Sequence, residues 1–232
     1  MGEAVVCTVV LLLDAHPEAP LIVAANRDEW RARATAPFGE LLPGIFGGKD
    51  LAAGGTWFAV RKDGGMALLT NVRPGMARDD SKRSRGEIVL DVLQQASATA
   101  MRARMQALDP VRYNPFNLLF GHAGEWFYAS SGRPDIARVK AGVHVLGNRT
   151  LDDPDDAKTV AVAGVAPHLL RVPLAEARAS LVKLLNGPLY VDAGAYGTRW
   201  SMLYAGPHAP IAAVEISESS VRTSPLAPAP LR

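Results

Sequence analysis

Two apolar runs near the start of the chain decide how it is read. The first is Cys7-Thr8-Val9-Val10-Leu11-Leu12-Leu13. The second, after a turn-like His16-Pro17-Glu18, is Leu21-Ile22-Val23-Ala24-Ala25, which leads straight into Asn26-Arg27-Asp28-Glu29. Both runs are short, rich in Val and Leu and bounded by turn residues, as expected of buried strands pairing in a hairpin. Cys7, the only cysteine, opens the first strand. Side chains alternate along a strand, so Arg27 and Glu29 take one face and Asp28 the other.

That juxtaposition has a chemical use. A free cysteine titrates near ~8.5 and an α-amine near ~7.7–8.0. A cysteine at a chain's N-terminus therefore carries nucleophile and base on one residue and needs no histidine. Arg27 would favour the thiolate, and Asp28 could orient the amine. Six residues, Met1–Val6, precede Cys7, and this chemistry requires their absence. They are read as a short leader or, preferably, as a mis-assigned start, with initiation at Val6 giving Met-Cys-Thr-Val-Val and then loss of Met. Residues 7–223 are read as a single domain and residues 224–232 as a Pro/Ala-rich tail. The competing reading is a buried strand cysteine with no chemistry.

Composition narrows the field. A chain of 232 residues can bury a sizeable core. Its net charge of +2 supports neither a nucleic-acid binder nor a membrane-surface protein. One cysteine excludes an internal disulfide and fits a reducing, cytoplasmic location. The apolar stretch Ala4–Leu13 is too short to span a bilayer and lacks the basic flank of a secretory signal. Five scattered histidines without an HExxH pattern give no metal site. Gly47-Gly48-Lys49-Asp50 lacks the Ser/Thr of a phosphate loop, and neither GxGxxG nor GxSxG occurs.

Along the chain, Leu41–Gly55 reads as a Gly/Pro-rich loop. Thr56–Val60 and Met66–Asn71 read as a hairpin. Ser84-Arg85-Gly86-Glu87 matches a capping box opening a helix through Ile88, Val89, Val92 and Leu93. Helical character resumes over Met101–Leu108 and stops at Asp109-Pro110. Four short strands follow (Asn117–Gly121, Glu125–Ser130, Asp135–Val139, Val143–Leu146). Two helices (Ala157–Leu170, Leu174–Leu185) and two more strands (Arg199–Tyr204, Ile211–Ile216) complete the order. Without regular βαβ alternation a doubly wound parallel sheet is disfavoured. Two antiparallel sheets covered by helices, an α+β four-layer α-β-β-α sandwich, fit better.

Two asparagines end apolar strands, in Thr70-Asn71 and Gly147-Asn148, where a side-chain amide can serve as an oxyanion donor or simply favour a turn. Tyr196-Gly197-Thr198-Arg199 opens a strand, and Arg199 could bind a carboxylate or support the centre. Gly54-Gly55-Thr56-Trp57 could let backbone approach a ligand, with Trp57 as a wall.

Together these residues resemble the NRDE family, also called the transport and Golgi organisation protein 2 family. The matching motifs run in order from Cys7 to about Ile216. They include Cys7-Thr8-Val9-Val10, Asn26-Arg27-Asp28-Glu29, Gly48-Lys49-Asp50, Gly54-Gly55-Thr56-Trp57, Leu69-Thr70-Asn71, Arg85-Gly86-Glu87, Phe116-Asn117-Leu118-Leu119, Gly147-Asn148 and Tyr196-Gly197-Thr198-Arg199. Members typically begin Met-Cys, which would make Cys7 the mature first residue. The resemblance implies an N-terminal-nucleophile hydrolase-like fold, similar to penicillin V acylases and bile-salt hydrolases. By that analogy Cys7 is nucleophile and base, Arg27 and Asp28 support it, Asn71 and Asn148 are oxyanion candidates, and Arg199 is the distal arginine. Trp57 and Asn26 are the candidate substrate contacts. The expected function is hydrolysis of a linear non-peptide amide, with no metal or cofactor. The alternative is a non-catalytic carrier of an apolar ligand such as haem or acyl-CoA, because animal relatives are associated with Golgi organisation, lipid metabolism and haem trafficking.

Overall fold

The computed structural model describes residues 7–72, 79–206, 212–217 and 220–225, the last two stretches by backbone alone. The expected leader 1–6 and residues 226–232 of the expected tail lie outside the described residues.

The N-terminal hairpin forms as read, with longer arms: β1 (Thr8–His16) pairs antiparallel with β2 (Ala19–Trp30), placing Thr8 opposite Asn26. Further strands are β3 (Thr35–Leu42), β4 (Ile45–Asp50), β5 (Phe58–Arg61), β6 (Met66–Asn71), β7 (Phe116–His122), β8 (Glu125–Ser130) and β9 (Ala137–Val139). They continue as β10 (Gly142–Leu146), β11 (Asp192–Ala193), β12 (Tyr196–Ala205), β13 (Ala212–Ser217) and β14 (Ser220–Pro225). The helices are α1 (Gly86–Leu93), α2 (Ala98–Gln106), α3 (Ala157–Leu169) and α4 (Leu174–Leu185).

One sheet runs β10-β1-β2-β12-β11, a second runs β3-β4-β5-β6-β7-β8-β9, and β13-β14 form a separate hairpin. Every named strand pair is antiparallel. Strand alternation sorts the apolar residues into three layers of core. Val9, Leu11, Leu13, Val23 and Ala25 face Phe58, Leu68 and Leu119 of the other sheet. Val10, Leu12, Ile22 and Ala24 face Leu181 and Leu185 of α4 and Val162 of α3. On the far side, Ala67, Leu118 and Phe120 pack on Ile88, Val92 and Met101 of α1 and α2. Three apolar layers between four structural layers make the α-β-β-α sandwich expected from the order of elements. A run apolar on both faces, such as Val9–Leu13, is what a strand buried between helices and a second sheet requires.

Two local expectations give way. Leu41–Gly55 is loop only at 43–44 and 51–55: its middle is β4, which pairs with both β3 and β5. A Cβ on Gly47 would lie 2.3 Å from the Phe58 carbonyl oxygen, so this glycine marks close strand approach rather than a turn. The capping box does not form either. Arg85 is the N-cap of α1 and makes no side-chain capping bond, its guanidinium donating to the Pro115 carbonyl at 2.9 Å, and Glu87 pairs with Arg83 instead. The start of α1 is fixed by contact: Thr56 N–H donates to the Gly86 carbonyl at 3.3 Å, and a Cβ on Gly86 would meet Thr56 N at 2.6 Å. The hairpin strand β14 ends at Pro225. No helix among the described residues is long and apolar enough to cross a membrane.

Candidate active site

The alternation that buries β2 also sorts its charged end. Ala24 faces the helix layer, and Asn26 and Asp28 continue that face. Ala25 faces the opposite sheet, and Arg27 continues that one. Cys7 stands just before β1, next to the Thr8–Asn26 pair, and is therefore level with Arg27 and Asp28.

On the helix side, Asp28 is 2% exposed and Lys158 of α3 is 6% exposed. The Lys158 ammonium lies 3.8 Å from Asp28 Oδ2 and donates to the Cys7 carbonyl oxygen at 3.4 Å. Thr198 Oγ1 donates to Asp28 Oδ1 at 2.6 Å, while Tyr196 Oη donates to the Asp28 carbonyl at 3.0 Å. Asp28 Oδ2 has no hydrogen-bond partner among the described residues. Cys7 Sγ lies 3.9 Å from the Asp28 carbonyl oxygen. Burial pushes the Asp28 carboxyl up and the Lys158 ammonium down, because each loses solvation of its charged form. Burial, then the Asp28 charge, push the Cys7 thiol up to about 11.

A β-bulge completes this side. Register shifts between Thr198 and Trp200, so Thr198 lies opposite Asp28 and Trp200 opposite Arg27. Arg199 is the inserted residue, and the bulge returns Thr198 to the Asp28 face. Arg199 donates to the Arg31 carbonyl and is not among the residues lining the cavity described below.

On the sheet side, Arg27 is 3% exposed. It donates to Thr35 Oγ1 and to Asp50 Oδ2, each at 3.2 Å, and lies 3.6 Å from Glu29. Its guanidinium carbon is 4.2 Å from the centre of a Trp57 ring, a cation–π contact. Arg33 donates to the same Asp50 oxygen at 2.7 Å. Burial works against ionisation of Asp50, but the Arg33 hydrogen bond and charge and the Arg27 charge outweigh it and hold this carboxyl below its ordinary value.

Between these clusters opens a cavity of about 1060 Å³, lined by Cys7, Asp28, Trp30, Trp57, Asn71 and Tyr196 among others. The start of α1, Ser84 to Glu87, forms part of its rim. The geometry thus brings Cys7, Arg27, Asp28, Trp57 and Asn71 to one cavity. Asn148 is not among the lining residues; its Nδ2 donates to the Asn71 carbonyl at 2.5 Å. Asn26 also lies off the cavity. It donates to the Leu185 and Leu189 carbonyls at 2.8 and 3.0 Å and accepts from Ser201 at 2.6 Å, tying β2 to the end of α4. The bond to Leu185 satisfies a carbonyl at the end of α4 that the helix itself cannot.

Lys158, Thr198 and Asp50 were not singled out from sequence. Asp50 and Thr198 sit inside motifs that the family resemblance did mark. Lys158 had no signal: a lysine in the first turn of a helix ordinarily meets solvent, and only docking of α3 on β1 buries it.

Comparison with known proteins agrees with this architecture. Residues 6–165 match the family model described as Transport and Golgi organisation 2. The chain is 29% identical over 164 residues to the Transport and Golgi organization protein 2 homolog of Homo sapiens, and 28% identical over 163 residues to the Mus musculus homolog. Each match covers 64% of this chain and 59% of the relative, so the chain spans less than two thirds of the relatives it matches. Among solved structures, it resembles a Caenorhabditis elegans N-acylethanolamine-hydrolyzing acid amidase ortholog. The TM-score is 0.61 and the identity 15%, covering 94% of this chain and 100% of that one. That likeness is one of fold, the N-terminal-nucleophile hydrolase sandwich. Because the family match extends over more than half of the sequence, from the residue before Cys7 to the middle of α3, the chain belongs to the Transport and Golgi organisation 2 family.

Proposed function

We propose that this chain is a cysteine hydrolase of linear, non-peptide amides, working once the Cys7 α-amine is free. The observation that carries the reading is the buried Asp28 carboxylate beside Cys7, with one oxygen lacking a hydrogen-bond partner among the described residues. A buried carboxylate oxygen left in that condition is costly, and an α-amine at Cys7 would supply the missing donor. Two further features support it. With a peptide bond before it, Cys7 holds a φ of 24°, unfavourable for a residue with a β-carbon. With a thiol pushed up to about 11, the peptide-bonded cysteine is protonated at neutral pH and needs an adjacent base.

In the proposed reaction the Cys7 sulfur attacks the amide carbon while its proton passes to the α-amine. The C–N bond then breaks as that proton moves to the departing amine, leaving an acyl thioester. Water, giving a proton to the α-amine, attacks the thioester carbon. The C–S bond breaks, the thiol is reprotonated and a carboxylic acid leaves. Asn71 is the candidate side-chain donor to the oxyanion, and Asn148 acts by holding the Asn71 main chain. Arg27 supplies fixed positive charge near the sulfur. Arg199 and Asn26 act through the scaffold.

The test uses a chain beginning at Cys7, verified by intact mass, and a panel of N-acyl amides with amine release as the readout. Hydrolysis should appear, fall sharply when Met1–Val6 are retained and vanish in Cys7→Ala. Undiminished activity in Cys7→Ala would end the proposal.

One observation favours a second reading, a carrier of an apolar ligand such as haem or acyl-CoA: Trp30, 59% exposed, lines the cavity together with Trp57 and Tyr196. Tight binding with a haem Soret shift, in a chain inert towards amides, is the outcome that reading requires.

A further inference from the structure

We infer that Lys158 is the positioning residue of the Cys7 centre: its ammonium holds the Cys7 carbonyl and sets the charge state of the thiol beside it. The inference rests on the proposed reading only in taking Cys7 as the working thiol.

The geometry is specific. Lys158 and Asp28 are both buried, yet they stand 3.8 Å apart rather than at hydrogen-bonding distance. The ammonium instead donates to the Cys7 carbonyl at 3.4 Å. A buried ion pair is a poor device for stability alone, since desolvation offsets most of the attraction. A pair held slightly open around the main chain of the only cysteine does something else. Lys158 fixes the carbonyl end of Cys7 and offsets the Asp28 charge, which otherwise disfavours a thiolate. Its positive charge also disfavours protonation of a Cys7 α-amine, keeping that amine available as a base.

Among the described residues, the charged and titratable groups around the sulfur are few. From β2 come Arg27, Asp28 and Glu29; from α3 and its cap come Lys158 and Asp156; from β12 comes the Tyr196 hydroxyl. Asp50 and Arg33 lie beyond Arg27. Arg27 is held by Thr35, Asp50 and Glu29, which leaves Lys158 as the cation on the Asp28 side among the described residues.

Because Cys7 is the sole cysteine, its ionisation can be read without a substrate. Alkylation by iodoacetamide is followed from pH 6 to 12 on the chain beginning at Cys7. Lys158→Met should move the midpoint to higher pH and slow alkylation at pH 7 about tenfold. Asp28→Asn should move it to lower pH. Opposite shifts from the two partners are a signature that general loosening of the structure does not give. A Lys158→Met profile that coincides with the unmodified chain, or moves to lower pH, overturns the inference. If Lys158→Met does not fold, Asp28→Asn is compared with Asp28→Asn/Lys158→Met, which leaves no unpaired charge. The double variant must titrate at higher pH, and coincidence overturns the inference. Absence of amide hydrolysis would sink the proposed reaction while leaving these midpoints to judge Lys158.

Discussion

Arg27 and Asp28 are neighbours in sequence, but the ionic clusters they anchor on either side of β2 differ in kind. Arg27 sits in a closed network: Thr35, Asp50 and Glu29 take its donors, Trp57 takes its face, and Arg33 shares Asp50. Asp28 sits in an open one, with an oxygen lacking a hydrogen bond among the described residues and a cation 3.8 Å away. Both are buried, so the difference is not one of solvent. A cation held by several partners at once fixes geometry, here the cavity wall that carries Trp57. An unsaturated pair holds polar capacity in reserve beside the only thiol. Polar groups left short of partners inside a protein are where a functional explanation is owed.

The contrast can be broken by substitution. The largest effect is expected at the open pair. Lys158→Met strands a buried carboxylate and should cost about 3–5 kcal/mol, whereas Asp28→Asn/Lys158→Met should recover much of that loss. Urea unfolding of the three variants decides it, and a double variant no more stable than Lys158→Met would contradict an ion pair dispensable to the fold.

At the closed network, Arg27→Met removes two charge-assisted hydrogen bonds and the cation–π contact, with an expected loss of about 2–4 kcal/mol. Adding Asp50→Asn should not restore it, because Arg33 would then lose its 2.7 Å bond to Asp50 and keep only Glu29, 3.6 Å away. If the pair did recover, the two clusters would be alike.

Asp50→Asn alone should cost about 1–3 kcal/mol at neutral pH. The sign follows from the depressed Asp50 carboxyl. Its stabilisation is present above the ordinary value of 3.8 and is lost as pH falls through the lower folded value. Unfolding curves of Asp50→Asn and the unmodified chain should therefore converge in acid; a gap that persists unchanged below pH 3.8 would argue against the assignment.

The smallest effect belongs to Thr198→Val, which removes the 2.6 Å bond to Asp28 Oδ1. It should cost about 1–2 kcal/mol. It should also shift the Cys7 alkylation profile, because that bond favours the charged form of Asp28. A stability loss without any change in the profile would mean that Thr198 serves packing only.

Much of this was legible before the fold was known. Val9–Leu13 and Leu21–Ala25 are apolar on both faces, and only a layer buried on both sides accommodates that. Alternation from Ala24 onward correctly sent Arg27 and Asp28 to opposite faces. The failures have physical causes. Leu41–Gly55 looks like loop because glycine weakens a strand locally, but Gly47 is needed where Phe58 crowds β4. Ser84 and Glu87 have the spacing of a capping box, but Arg83 competes for Glu87 and the contact with Gly55 and Thr56 sets the helix start.

By itself, then, the sequence determined the layers, the strand order near the N-terminus and the concentration of Cys7, Arg27 and Asp28 at one hairpin end. Those features depend on periods of two and of 3.6, which are local. Tertiary structure alone decided which charges are satisfied. It buried Lys158 by docking α3, inserted Arg199 as a bulge so that Thr198 reaches Asp28, and turned Asn26 towards α4. Each of these depends on contacts between residues more than a hundred positions apart, and burial at such contacts is a property of the packed chain rather than of any residue's neighbours.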